Sequence, residues 1–401
     1  MRYAHITGWG AYLPPRIVTN DELAQLVPTS DDWIRERTGI RERRIAGEDD
    51  HTSDMAVKAG RRALAVANLD PGRLQLVICA TSTPDYLMPN TASLIQDGLG
   101  ATHAAAFDLN TACSGFVYAL AVASAMIRSE VYENALVIGA ESMSRVMDWS
   151  DRTTCVLFGD GAGAVVLQAS DMPGGVLGTS LGSDGSGGNV LRVGLGTRKH
   201  FTPEMLAGGD GPYMHMAGGE VYRFATRIMN SVTREVVEAA SLTMDDIDLI
   251  IPHQANTRIL QAAAKQLHIP MDRIYSNLHK YGNTSAASVP LALVDAIEEG
   301  RLHAGDHLVM VGFGGGLTWG ACLVQWRYDV SDRQWPIWQR GLQGARFGLA
   351  GVKSWTHRAE RQLRFMEIRL RRRARQRREE RAKAKRESGP GPGPEANGKA
   401  G

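Results

Sequence analysis

The sequence predicts an α/β protein made of two similar halves, and three observations carry that reading. Apolar runs, "LQLVICATS" (74–82), "ALVIGAES" (135–142), "DLIIPHQ" (248–254) and "HLVMVGFGGG" (307–316), alternate with stretches of helical character. Runs apolar throughout, rather than at every second position, are what a sheet buried on both faces requires. The segment "ANLDPGRLQLVICAT" from Ala67 reads like "ASLTMDDIDLIIPHQ" from Ala240, an offset of 173. "ALVIGAES" pairs with "HLVMVGFG" at about 172, and "CSGFVYALAVASAMI" with "NTSAASVPLALVDAI" at 170. Finally, 401 residues at 43% hydrophobic and 22% charged can bury large cores.

The repeat assigns residues 1–172 to an N-terminal half and 173–330 to a C-terminal half. The change falls in "DMPGGVLGTSLGSDGSGGN" (171–189), whose Gly, Ser and Pro content reads as a linker. Taken in order, "DDWIRERTGIRERR" (31–44) reads as a charged helix with one tryptophan, Trp33. "FDLNTACSGFVYALAVASAMI" (107–127) is a strand leading into a helix that is apolar nearly all round and therefore buried, with Cys113 in its first turn. The positive end of that helix favours an anion and is expected to pull the thiol pKa from about 8.5 toward neutrality. The unpaired N–H groups there could hold the oxyanion formed when a thioester is attacked.

"IIPHQANTRI" (250–259) places His253 after a buried strand and a proline, and "HKYGNTSAASVPLAL" (279–293) places Asn283 before Thr284 and Ser285, read as helix caps. On this alignment Cys113 and Asn283 sit at equivalent strand-to-helix junctions, and His253 ends the strand equivalent to the one ending near Thr81. Strand ends are where sites gather in such sheets. A buried cysteine is otherwise a small hydrophobe, a histidine after a strand a satisfied core residue, and an asparagine before a helix a turn. "GFGGGLTWG" is no phosphate loop, because it lacks both the lysine and the strand-to-helix context.

Charge is divided unevenly. Residues 331–401 carry 19 Lys+Arg against 7 Asp+Glu, leaving 26 against 36 in residues 1–330. This tail opens with Trp335, Trp338 and Phe347, runs through an Arg-dense helical stretch at 355–387 and ends in "SGPGPGPEANGKAG". Its composition suits either a solvated tail without a partner or contact with an anionic surface, lipid or nucleic acid. Cys79, Cys113, Cys155 and Cys322 have apolar surroundings and no C-x-x-C spacing, so free thiols are expected, with no disulfide framework and no metal site. The start "MRYAHITGWGAYLPP" has no secretory pattern, and no window approaches the length of a membrane span, which makes the cytoplasm the expected location.

Taken in order, "WIRERTGIRERRIA", "NTACSGFVYAL", "FGDGAGAVVL", "IIPHQANTRI", "GNTSAAS" and "FGGGLTWG" resemble the motifs of the β-ketoacyl-[acyl carrier protein] synthase III family within the thiolase superfamily, from residue 1 to about 327. The resemblance implies a thiolase-like fold, two α/β halves in an α-β-α-β-α layering, here with a basic C-terminal extension. It implies that Cys113 takes an acyl group from acyl-CoA and that malonyl-[acyl carrier protein] then loses CO2 and attacks the acyl thioester. His253 Nε2 and Asn283 Nδ2 would stabilise the enolate as neutral donors, and the N–H groups of Cys113 and Gly315 would form the oxyanion hole.

By the same resemblance Trp33, Arg37, Arg152 and Asn256 would bind CoA, and Arg223, Arg258 and Lys265 would dock the acyl carrier protein. Met88 and Phe158 would shape the acyl pocket, Met88 from a neighbouring subunit of a homodimer. No cofactor beyond the substrates is implied. Met88 stands where the family often has an aromatic residue, Gly219 replaces a common asparagine, and the tail is foreign to the pattern. Acyl transfer to a hydroxyl or amine, condensation without decarboxylation, and a non-catalytic acyl-binding scaffold are the competing readings.

Overall fold

The apolar runs become strands of two sheets. One has five strands in the order Tyr3–Tyr12, Asp160–Ser170, Asn134–Ser142, Leu76–Ala80, Ala105–Leu109; the other has four, Leu249–Pro252, His307–Gly314, Thr318–Gln325, Gly175–Ser183. Each contains an antiparallel hairpin, Asn134–Ser142 with Asp160–Ser170 and His307–Gly314 with Thr318–Gln325, and each hairpin is flanked on one side by a parallel strand. The computed structural model describes residues 2–194 and 213–329, and further on residues 348, 352, 354, 356, 358–360, 362–364, 366–369 and 379–380.

Both sheets are covered on both faces, which explains the continuous apolar runs. Successive residues point to opposite faces: Leu76 and Ile78 join a central core, whereas Val77 and Cys79 join an outer one. The central core holds Phe116, Leu120 and Ile127 of the helix Gly115–Arg128 and Val289, Leu293 and Ile297 of the helix Ser288–Glu298, packed between Ile78 of the first sheet and Ile251 and Met310 of the second. Helices Thr52–Val66 and Thr91–Leu99 cover the outer face of the first sheet. Gly218–Ala239 and Thr257–Leu267 cover that of the second. The layering is α-β-α-β-α, as expected, and the two central helices are apolar all round because both sheets press on them.

The structure corrects the alignment of the halves. Strands Leu76–Ala80 and Leu249–Pro252, strands Asn134–Ser142 and His307–Gly314, and helices Gly115–Arg128 and Ser288–Glu298 each begin 173 residues apart. Ala112 and Ser285, at the same separation, are both left-handed with φ of 48° and 49°. The amide of each donates to an asparagine two residues back, Ala112 to Asn110 Oδ1 at 3.2 Å and Ser285 to Asn283 Oδ1 at 2.8 Å. Asn283 therefore corresponds to Asn110, not to Cys113, whose counterpart is Ala286. The sequence alignment slipped by three residues because both helices are uniformly apolar and offer no phase.

Glycines let the halves interlock. A Cβ on Gly139 would lie 2.2 Å from the Ala286 carbonyl oxygen, and one on its counterpart Gly312 would lie 2.7 Å from Ser114 Cα, so each helix start presses on the other half's sheet. The expected linker at 171–189 contains a strand: Gly175–Ser183 pairs along Thr318–Gln325, and its glycines are accommodated at a sheet edge. Residue contacts group Met1–Gly351 into one compact unit and Val352–Gly401 into another. In the second, the described residues are helical. Trp335, Trp338 and Phe347 lie outside the described residues, as does most of the basic stretch. Among the described residues no helix is long and apolar enough to cross a membrane.

Candidate active site

Cys113, His253 and Asn283 line one cavity of about 610 Å3. Each is buried. Cys113 sits in the turn Ala112–Ser114 that opens the helix Gly115–Arg128. A Cβ on Gly314 would lie 2.8 Å from the Cys113 amide nitrogen, so glycine is required where this strand end meets the nucleophile turn. Gly315 lines the cavity beside it.

His253 follows the strand Leu249–Pro252 and extends its pairing, its amide donating to Val311 O at 2.7 Å. Its ring stands edge-on to Phe313 at 5.1 Å, and Nδ1 lies 2.6 Å from Ser288 Oγ. The Gln254 amide donates to that same oxygen at 3.4 Å, and when the serine's own proton goes to Nδ1 the ring N–H sits on Nε2. Burial lowers the imidazole pKa to about 3, which makes it a neutral donor at pH 7.

Asn283 is held from both sides. Its amide donates to Leu157 O at 2.8 Å and its carbonyl accepts from the Gly159 amide at 3.1 Å. Because Oδ1 accepts the Ser285 amide, Nδ2 is left for the cavity. The wall at 156–158 is itself fixed by Arg43, fully buried, whose guanidinium donates to Val156 O at 2.8 Å, Val18 O at 3.2 Å and Asn20 Oδ1 at 2.9 Å.

The thiol differs from expectation. Burial pushes Cys113 up to about 12, opposed by its hydrogen bond to Ser285 and reinforced by the Glu141 charge. Loss of hydration outweighs the helix end, so the resting group is a thiol. Ser285 and Thr284 do not cap the helix through their side chains, contrary to the sequence reading. Ser285 Oγ instead accepts from the Cys113 thiol at 3.4 Å and donates to Glu141 Oε1 at 3.0 Å. Glu141 and Ser288 were not singled out by sequence, although a glutamate ending the apolar run "ALVIGAES" was a usable signal.

With this geometry in place, comparison with known proteins decides the family. The descriptions "3-Oxoacyl-[acyl-carrier-protein (ACP)] synthase III" and its C-terminal counterpart match residues 107–185 and 237–326. A β-ketoacyl-[acyl-carrier-protein] synthase III of Roseiflexus castenholzii is 51% identical over 325 residues, covering 81% of this chain and 98% of its own. The chain belongs to the β-ketoacyl-[acyl-carrier-protein] synthase III family. A second relative of that name, from Caldanaerobacter subterraneus, is 49% identical over 80% of this chain and 98% of its own. The crystal structure of the Aquifex aeolicus synthase III superposes with a TM-score of 0.75 at 46% identity, covering 80% of this chain and all of that one. The priming β-ketosynthase of the R1128 polyketide pathway gives 0.76 at 36%, covering 82% and 97%.

Other residues implied by this family pattern fall in several places. Trp33, Arg37 and Asn256 line the cavity, and the guanidinium groups of Arg37 and Arg152 lie 4.9 Å and 5.1 Å from the Trp33 ring. Arg152 is not among the lining residues; it donates to Pro28 O at 2.7 Å. Asn256 caps the helix Thr257–Leu267 and donates to Arg37 O at 3.0 Å, joining two parts of the mouth. Phe158 lines the cavity and is buried, whereas Met88 does not line it and is 86% exposed beside Tyr86 and Leu87. Arg258 lines the mouth; Arg223 and Lys265 are exposed on the neighbouring helices Gly218–Ala239 and Thr257–Leu267, outside the cavity. Leu191, Val193, Met214 and Met216, from a two-stranded ribbon, complete an apolar wall that the sequence reading had not included.

Proposed function

We propose that the chain condenses an acyl-CoA primer with malonyl-[acyl carrier protein], releasing CO2 and giving 3-oxoacyl-[acyl carrier protein], the step that starts a fatty-acid or polyketide chain. The observation that carries this is the convergence of Cys113, His253 and Asn283 on one buried cavity in a chain of this family. The Cys113 sulfur attacks the primer thioester, its amide and that of Gly315 receive the oxyanion, and CoA leaves. Malonyl thioester then enters. Neutral donors at His253 Nε2 and Asn283 Nδ2 receive the enolate oxygen as CO2 departs, and the carbanion attacks the acyl-Cys113 carbonyl.

Trp33, Arg37, Arg152 and Asn256 bind the CoA end; the paired guanidinium and indole planes suit a base, and the cations suit phosphates. Arg258, Arg223 and Lys265 dock the acidic carrier protein, with Phe158 and the partner's Met88 shaping the acyl end in a homodimer. The exposed Tyr86, Leu87 and Met88 support that interface. No resident cofactor takes part, and the reaction belongs in the cytoplasm, where both substrates would be met. The basic tail contacts an anionic surface. Full-length chain should pellet with anionic liposomes more than a chain ending at Arg327, and equal pelleting removes the lipid assignment.

The deciding experiment offers acetyl-, isobutyryl- and octanoyl-CoA with malonyl-[acyl carrier protein] and follows both protein mass and CO2. A thioester on Cys113 followed by malonyl-dependent CO2 release is expected. Acylation without CO2 release would favour plain acyl transfer, and neither would favour a binding protein.

A further inference from the structure

One buried carboxylate beside the cavity is not used by this chemistry. Glu141 ends the strand Asn134–Ser142 and is 0% exposed. Donors surround it: Thr81 Oγ1 at 3.2 Å, the Ser82 amide at 3.1 Å and hydroxyl at 2.8 Å, the Thr83 amide at 3.0 Å and the Ser285 hydroxyl at 3.0 Å. These bonds favour the ionised form, while burial opposes it and raises the pKa. Among the described residues no ion pair includes Glu141. The Ser285 hydroxyl has a single proton. Directed to Glu141, it leaves Oγ as the acceptor of the Cys113 thiol, so thiol, hydroxyl and carboxylate form one chain running toward Glu141.

Building on the acyl-transfer reading, we propose that Glu141 takes the Cys113 proton through Ser285. The thiol proton moves to Ser285 Oγ as the serine proton moves to Glu141 Oε1, turning S–H···O–H···⁻O into S⁻···H–O···H–O. The sulfur then forms its bond to the acyl carbon, the bond from that carbon to the CoA sulfur breaks, and the proton returns along the same path to the departing sulfur. Glu141 ends ionised and CoA leaves as a thiol. Ser285 touches the reacting sulfur; Glu141 acts through it as a positioning residue.

The charge count makes the path favourable. With Glu141 ionised, ionising Cys113 by itself would add a second anion to a dry site, the situation that burial and like charge resist. Moving the existing charge keeps the count at one and brings it to the helix end at Gly115, where an anion is favoured. The groups that bear on this chain are few: Cys79, on the strand Leu76–Ala80, feels Glu141, Asp108 and Asp85, and His253 is buried, neutral and engaged at Nδ1 with Ser288.

The test is the rate at which iodoacetamide alkylates Cys113 in the full chain, read by peptide mass from pH 6 to 11, for wild type, Ser285→Ala and Glu141→Gln. Wild type should be nearly flat below pH 9. Ser285→Ala should be slower by about four orders of magnitude at pH 7, rise about tenfold per pH unit and meet wild type near pH 11, because only solvent then removes the proton. A Ser285→Ala profile that overlies wild type, or one lowered by the same factor at every pH as a packing defect would give, overturns the proposal. Glu141→Gln should follow Ser285→Ala; if it does not fold, Ser285→Ala, which leaves Glu141 its other donors, decides the question. Alkylation needs neither CoA nor malonyl thioester, so the result stands whether or not condensation is the reaction.

Discussion

Replacing Asn283 with alanine separates the two half-reactions. Asn283 has two duties: Oδ1 accepts the Ser285 amide at 2.8 Å, and Nδ2 is left to the cavity. Loss of the first leaves a buried N–H without its acceptor and is expected to lower stability by about 1–3 kcal/mol. Loss of the second removes one of two donors to the developing enolate, which typically raises the barrier by about 2.7–4 kcal/mol, or two to three orders of magnitude in rate. Acylation of Cys113 uses the other oxyanion hole, the amides at Cys113 and Gly315, and should continue. The assay pairs intact mass after exposure to acyl-CoA with CO2 release from malonyl-[acyl carrier protein]. The expected result is an acylated enzyme with decarboxylation reduced at least about a hundredfold. CO2 release within about threefold of wild type would remove Asn283 from the enolate site, whatever the melting temperature does.

Three further outcomes follow from the geometry. Burial lowers His253 to about 3, below its unfolded value, so the unfolded chain binds the proton first as pH falls. Relative to His253→Gln, stability should be full above about pH 6.5 and decline by about 1.4 kcal/mol per pH unit below it; parallel unfolding curves for the two proteins between pH 7 and 5 would contradict this. Gly139→Ala drives a methyl to 2.2 Å from the Ala286 carbonyl oxygen and should cost about 1–3 kcal/mol, read as a lower urea midpoint; an unchanged midpoint refutes the interlock. Trp33→Ala removes the ring on which Arg37 and Arg152 lie and should raise KM for acyl-CoA about tenfold with kcat for condensation unchanged, an unaltered KM counting against the base-binding assignment.

What could be read from the sequence was what leaves a periodic or positional trace. The buried strands were visible because Leu76 to Ala80 and Leu249 to Ile251 are apolar on both faces, and the site because Cys113 and His253 follow strands and Asn283 stands just before a buried apolar helix. The phase between halves was not visible, since helices apolar all round slide past one another in an alignment; two left-handed residues, Ala112 and Ser285, fix it in space. The protonation state of Cys113 was misread because dipole direction follows from a helix start whereas burial depends on both halves closing over it. Ser285 looked like a cap because serine before a helix usually is one; only tertiary structure brings Glu141 from another strand to claim its hydroxyl.

The corrected alignment also explains why the fold has one cavity chemistry rather than two. Carried across by 173 residues, His253, Asn283, Gly314 and Cys113 become Ala80, Asn110, Glu141 and Ala286. Imidazole and thiol are thus replaced by methyl groups, and the glycine that leaves room beside the Cys113 amide is replaced by a carboxylate. Glu141 occupies its junction, approached by the Ala286 amide at 3.5 Å as well as by Ser285. A fixed carboxyl group stands there where the other junction would receive a transient oxyanion. One half of the duplication therefore keeps an open site for a substrate's oxyanion, and the other fills the equivalent position with its own carboxyl group. Ser285 lies at the seam, since the residue that corresponds to Ala112 beside the nucleophile is also the one through which the filled junction reaches the open one.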